Sequence, residues 1–132
     1  MSDGNERGIA GEKAACDYLK KMGAEILATN YHTKYGEIDI IAKSGENICF
    51  VEVKTRGENS MGEPCEAVGI SKQKKIIFSA LIFMNEGGIS LQPRFDVIEV
   101  ICSKNPQAPI KEMRIHKNAF DVNKKNTKGM NF

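Results

Sequence analysis

Residues 36–56 read GEIDIIAKSGENICFVEVKTR. The stretch has the alternation of two short apolar strands joined by a tight turn, yet it carries Asp39, Glu52 and Lys54 among its isoleucines and valines. Strand interiors select against Asp, Glu and Lys unless something offsets their desolvation. Side chains alternate between the faces of a strand. Glu37, Asp39 and Ile41 therefore point one way and Ile38, Ile40 and Ala42 the other. In the second strand Ile48, Phe50, Glu52, Lys54 and Arg56 share a face, opposite Cys49, Val51, Val53 and Thr55. Closing the hairpin at Ser44 and Asn47 sets Lys43 against Ile48, Ile41 against Phe50, Asp39 against Glu52 and Glu37 against Lys54. The reverse face becomes Ala42/Cys49, Ile40/Val51 and Ile38/Val53, apolar throughout. A slip of one residue would scatter these pairs, so the pattern fixes the parity. A slip of two would set Asp39 against Lys54 instead. In either register Asp39, Glu52 and Lys54 cluster on one face.

Directly opposed residues have Cβ atoms ~4.5–5.5 Å apart. Two ionised carboxylates at that distance repel, and one must hold its proton more tightly unless a cation lies between them. Lys54 supplies part of that charge, and a hard divalent cation with oxygen ligands, Mg²⁺ or Mn²⁺, supplies more. The plainer alternative is an ion-pair cluster at a sheet edge.

Working outward, residues 6–22 read as a helix ended by Gly23, with an apolar stripe of Ile9, Ala15, Cys16 and Leu19. Glu12 falls on that stripe, where a carboxylate is out of place. A short strand is expected at 25–29, and NYHTKY then reads as a loop. After Arg56 the run GENSMGEPCE is loop-like. Ser71 is the expected N-cap of a second helix over 72–86, stopped by Gly87-Gly88. That helix is apolar over much of its girth, which predicts packing against a sheet and leaves a homodimer contact as a second use. Residues 95–102 read as another strand, with an edge strand at 110–116 and a lysine-rich, disordered tail from 123. The order is helix, three strands, helix, one or two strands: an α/β domain with a mixed sheet flanked by helices.

The chain has 132 residues, 41% hydrophobic and 27% charged, as expected of one soluble globular domain. The start MSDGNERG lacks the basic and apolar segments of a secretory signal, and the apolar run at 76–84 is too short to span a bilayer. A cytoplasmic protein without membrane contact is the expectation. Cys16, Cys49, Cys65 and Cys102 form no CxxC pair, so reduced thiols are expected. The formal charge of +2 neither demands nor excludes nucleic acid, but Lys72, Lys74 and Lys75 cluster at one helix start and Lys124, Lys125 and Lys128 in the tail. Such runs suit a solvated surface or phosphate contacts equally.

The ordered set GEID, about a dozen residues, then FVEVK, on an αβββαβ order with a glutamate in the first helix, resembles the PD-(D/E)XK nuclease superfamily. The stretches RGIAGEKAACDYL, GEIDIIA, FVEVKTR, AVGISKQKK and RFDVI are similar to the YraN-like family of predicted endonucleases within it. Archaeal Holliday-junction resolvases share the layout. Ile38 stands where the superfamily's proline would be. The resemblance covers nearly the whole ordered chain and implies a single restriction-endonuclease-like domain over 1–122. It makes Asp39 and Glu52 metal ligands, with the Val53 backbone carbonyl beside them, and Lys54 the third catalytic residue. Glu12 matches the helix-one glutamate and completes the acidic site directly or through water. Lys72 and Gln73, with Lys74 and Lys75 nearby, fall where related nucleases contact substrate. The implied activity is Mg²⁺- or Mn²⁺-dependent cleavage of DNA, branched or flapped forms included, leaving a 5′-phosphate and a 3′-hydroxyl. The alternatives are a nucleic-acid- or partner-binding module of the same fold without turnover, and a structural domain with an ion-pair cluster.

Overall fold

The computed structural model describes residues 3–58 and 68–121. The expectation of a disordered tail from 123, and the thiol Cys65, lie outside those residues. The element order is α1 (Asp3–Lys21), β1 (Glu25–Thr33), β2 (Gly36–Ser44), β3 (Asn47–Gly57), α2 (Ile70–Gly87), β4 (Gln92–Cys102) and β5 (Ile110–Phe120). The strands form one sheet in the order β1-β2-β3-β4-β5. Only β3 and β4 run parallel, and α2 makes the crossover between them. The expected α/β arrangement of a mixed sheet flanked by helices is what the chain adopts.

The helices cover opposite faces. On one, Ile76, Ile77 and Ala80 of α2 pack with Ile38, Ile41, Ile48, Phe50, Phe95 and Val97. On the other, Ala15 of α1, with Cys16 and Leu19, packs on Ile40, Cys49, Val51, Ile98 and Val100. The apolar girth of α2 is accounted for within the chain. Phe78 stacks on Tyr35 at 4.7 Å, and Phe83 meets Tyr31 edge-on at 5.1 Å. The buried Ser79 hydroxyl shares a 2.7 Å hydrogen bond with Thr33, which pins α2 to the end of β1. Cys16, Cys49 and Cys102 are free thiols.

Three local expectations need correction. Ser71 is not the N-cap of α2: the helix begins at Ile70, and Gly69 is its cap with no side-chain hydrogen bond. The NYHTKY segment is largely strand, because β1 runs on to Thr33 and only Lys34 and Tyr35 make the turn. Ile9 does not pack inward with Ala15, and it remains 60% exposed. The helix stop at Gly87-Gly88 does occur, with Gly88 in the left-handed conformation that lacks a Cβ penalty (φ 61°) and its N–H bonded to the Asn85 carbonyl.

Candidate functional site

The β2–β3 hairpin has the register read from its alternation, from Ser44↔Asn47 through Lys43↔Ile48, Ile41↔Phe50 and Ala42↔Cys49 to Ile40↔Val51. There the ladder stops. Asp39 is not paired with Glu52 or with Lys54, and Ile38 does not sit behind Val53. Ile38 belongs with Ile41 and Phe50 on the α2 face, while Ile40 and Val53 face α1. The alternation of β2 therefore breaks at Asp39. The neighbouring strand breaks at the matching place: Ala28 and Tyr31 both contact the α2-side core, three residues apart. Asn30 lies between Thr29↔Ile40 and Tyr31↔Ile38 and has φ 50°. Asn tolerates this left-handed backbone better than most residues. The matched irregularity turns Asn30 and Asp39 together into a cavity beside α1.

That cavity, about 370 Å³, is lined by Gly8, Ile9, Glu12, Asn30, Glu37, Asp39, Val53 and Thr55. Its mouth is polar and its carboxylates outnumber its cations. Asp39 Oδ2 accepts a 2.8 Å hydrogen bond from the Val53 N–H, which uses the donor freed where the ladder ends. With its nitrogen turned toward the carboxylates, the Asn30 amide donates to Glu37 at 2.8 Å and to both oxygens of Glu12 at 3.1 and 3.3 Å. Glu12 thus reaches the site on α1, as its inward position required. Asn30 did not stand out in the sequence, and Glu37 was placed on the Asp39 face without a role of its own. The one available signal was an αL-tolerant Asn between apolar strand positions, hidden by reading the segment as loop.

Burial, then the charge of Glu52, raises the Asp39 pKa from 3.8 to about 7. The Val53 N–H opposes that rise, and Glu12 and Glu37 add to it. Glu52 lies on the α2 face at 9% exposure and is held by the Lys72 ammonium, whose Nζ is 2.5 Å from Oε1. The hydrogen bond to Glu52 raises the Lys72 pKa against desolvation, with further contributions from the charges of Glu52, Asp39 and Glu37. Lys54, two residues beyond Glu52 on β3, is half-buried on the same strand face. Gln73 donates through Nε2 to the Val68 carbonyl at 2.6 Å, bracing the segment that leads into α2. Lys75 joins Lys72, Glu37 and Gly36 around a second opening at the start of α2, and Lys74 is half-buried on that helix.

The structure thus brings Asp39, Glu12 and Val53 to one cavity and sets Glu52 and Lys72 in electrostatic contact with Asp39. Among the described residues, no three His, Cys, Asp or Glu side chains converge tightly enough to enclose a metal ion. The donor set nevertheless suits a hard cation: the charged groups lining the cavity, Glu12, Glu37 and Asp39, are all carboxylates, and Asp39 is driven toward protonation by burial and by unbalanced negative charge. Lys72 supplies the positive charge that Glu52 receives.

Among the described residues no helix is long and apolar enough to cross a membrane. The profile described as "Uncharacterised protein family UPF0102" matches residues 11–100, which span the C-terminal half of α1, β1–β3, α2 and most of β4. The chain is 51% identical over 96 residues to a UPF0102 protein of Clostridioides difficile, covering 72% of this chain and 84% of the relative. It is 43% identical over 116 residues to a UPF0102 protein of Caldicellulosiruptor saccharolyticus, covering 87% and 97%. A UPF0102 protein of Alkaliphilus metalliredigens is 47% identical over 116 residues, covering 86% and 96%. With matches of this extent, the chain belongs to the UPF0102, or YraN-like, family.

Proposed function

We propose that this protein is a metal-dependent DNA endonuclease of the PD-(D/E)XK type, with a restriction-endonuclease-like fold, acting on phosphodiesters of linear, flapped or branched DNA. The observation that carries the reading is Asp39. Its carboxylate is half-buried at the point where β2 and β3 separate, and that burial, together with neighbouring Glu52, Glu12 and Glu37, pushes its pKa to about 7. A structural domain gains nothing from such a cluster. A site awaiting Mg²⁺ or Mn²⁺ needs it.

Asp39 and Glu52 would hold the ion, with Val53 contributing backbone oxygen and Glu12 joining directly or through water. A divalent ion there supplies charge neutralisation at a phosphate oxygen and a lowered pKa for an attacking water. The chain's own residues do the rest. Asn30 holds Glu12 and Glu37 in fixed orientation. The Val53 N–H fixes one Asp39 oxygen and leaves the other for the ion. Lys54 follows Glu52 by one strand repeat, and its ammonium would orient water and stabilise charge on the phosphoryl group. With Glu52 serving as a ligand, the Lys72 ammonium that now pairs with it would be available to a substrate phosphate.

The test is a panel of linear, flapped and four-way DNA incubated with Mg²⁺ or Mn²⁺. Cleavage that disappears in Glu52→Gln and in Asp39→Asn is the expected result. No cleavage of any substrate, or full activity in Glu52→Gln, overturns the reading. The second reading, a binding module without turnover, is favoured by one observation: the described carboxylates do not converge into a closed metal site. It predicts salt-sensitive DNA binding with no metal-stimulated cleavage. In the first reading the partner is DNA, in the second a nucleic acid or another partner, and a homodimer would place two sites on one duplex.

A further inference from the structure

Past the first turn of α2, the same sheet face carries charged residues on three adjacent strands. In register, Glu52, Val97 and His116 form one line across β3, β4 and β5. Lys54, Glu99 and Arg114 form the next, and Arg56, Ile101 and Glu112 the one after. Glu99 sits at the centre of this grid, in the otherwise apolar strand VIEVIC, and is 1% exposed. One of its oxygens is 3.0 Å from Arg56 Nε and the other 2.8 Å from His116 Nε2. The side chains of those partners are 22% and 41% exposed. The carboxylate therefore lies beneath, with the Arg56 guanidinium and the His116 ring above it.

This is an uneconomical way to stabilise a sheet. Desolvating a carboxylate in a central strand is costly, and well-packed apolar residues often serve stability as well or better. Nor is the pair tuned for its own sake. The buried Arg56 Nε–H finds no hydrogen-bond acceptor, so its 3.0 Å contact with Glu99 is Coulombic rather than a directed hydrogen bond. A guanidinium has five N–H donors in a planar fork, and one edge placed against a buried anchor leaves terminal donors for an external oxyanion. The line from Lys54 leads directly to this group, about one strand spacing (~4.8 Å) per step.

We propose that Arg56 and His116, held by Glu99, form a phosphate-contact strip that extends from Lys54 across β4 to β5 and carries a DNA strand away from Asp39 and Glu52. Glu99 is then a positioning residue, acting through Arg56 and His116. The ligand class rests on the nuclease reading, but the geometry of the strip does not.

The test separates the two. Binding of labelled duplex and single-stranded DNA to the full chain is measured by fluorescence anisotropy in EDTA, where no cleavage occurs, at several salt concentrations. Removing one cation–phosphate interaction lowers the slope of log K against log salt by about 0.9 for duplex DNA, equivalent to about a 3.5-fold smaller affinity ratio between 50 and 200 mM salt. Arg56→Gln is expected to flatten the slope by about that much, and Arg56→Gln with His116→Gln by at least as much. Glu99→Gln gives an opposite-sign test. Removing a negative charge should by Coulomb's law tighten DNA binding, whereas loss of positioning should weaken it and flatten the slope as Arg56→Gln does. Tighter or unchanged binding by folded Glu99→Gln, or an unchanged slope in Arg56→Gln, overturns the strip. If Glu99→Gln does not fold, the two Arg56 variants decide. An active nuclease with unchanged slopes sinks the strip alone, and flattened slopes in a protein that never cleaves sink the nuclease alone.

Discussion

Asp39 titrates near neutrality because folding buries it among other carboxylates, and that has a consequence for stability. In the unfolded chain its proton leaves near 3.8, and in the folded chain at about 7. Between those values the native state binds more protons than the unfolded state, so this residue's contribution to stability falls as pH rises. It is fully favourable below about 4 and fully lost above about 7. Asparagine keeps the shape, accepts the Val53 N–H and removes the charge. Asp39→Asn should therefore stabilise the metal-free protein at pH 8, on the order of 2 kcal/mol once solvent screening is discounted, and leave it little changed at pH 4. Thermal unfolding of both proteins across that range in EDTA checks this. A difference independent of pH would mean that Asp39 ionises as an ordinary surface carboxylate. Sequence could point to this residue but not to its direction: alternation placed Asp39 opposite Glu52, while the chain turns it toward α1.

Helix α1 brings Glu12 to the cavity only because Gly11 lets it approach β3 closely. A Cβ at Gly11 would lie 2.4 Å from the Thr55 hydroxyl oxygen. In an open helix interior, Gly→Ala stabilises by about 1 kcal/mol, so the sign of the change reports whether that contact is rigid. Gly11→Ala is expected to destabilise by roughly 1–3 kcal/mol, as overpacking does. Thr55→Ala should rescue it in the double variant, a coupling that a double-mutant cycle measures. Independent, additive effects would show that α1 is free to shift. The elements themselves were legible. The hairpin register as far as Ile40, both helices and the mixed sheet follow from alternation, glycine stops and the apolar girth of α2. The paired break at Asn30 and Asp39 was not legible, since the two strands stay in register there and turn together, and neither shows it alone. Ser71 misled for a related reason. A favourable N-cap residue is only a local preference, and the Gly69 backbone already supplies an extended cap conformation (ψ 155°).

At the scale of the molecule, the candidate site draws on four elements: Glu12 from α1, Asp39 from β2, Glu52 from β3 and Lys72 from α2. No two of the three carboxylates are close in sequence, so an unfolded chain cannot assemble them, and any ion they hold binds the native state selectively. Such binding stabilises by RT ln(1 + [L]/Kd), about 2.7 kcal/mol at a hundred times Kd. For a domain of this size that is a rise on the order of 10 °C in melting temperature. The rise should appear with Mn²⁺, vanish in Glu52→Gln, and be tested apart from any cleavage. Lys72 gives the measurement a second sign. Its ammonium already sits on Glu52 and must be displaced, so an entering cation competes with a tethered one. Lys72→Ala should then bind Mn²⁺ more tightly than the parent in calorimetry and show the larger thermal shift at subsaturating metal, while losing affinity for DNA. Weaker Mn²⁺ binding in Lys72→Ala would mean that the lysine shapes the site rather than competing for it. No thermal shift in the parent at millimolar Mn²⁺ would leave the four converging elements without the ion that best explains their charge.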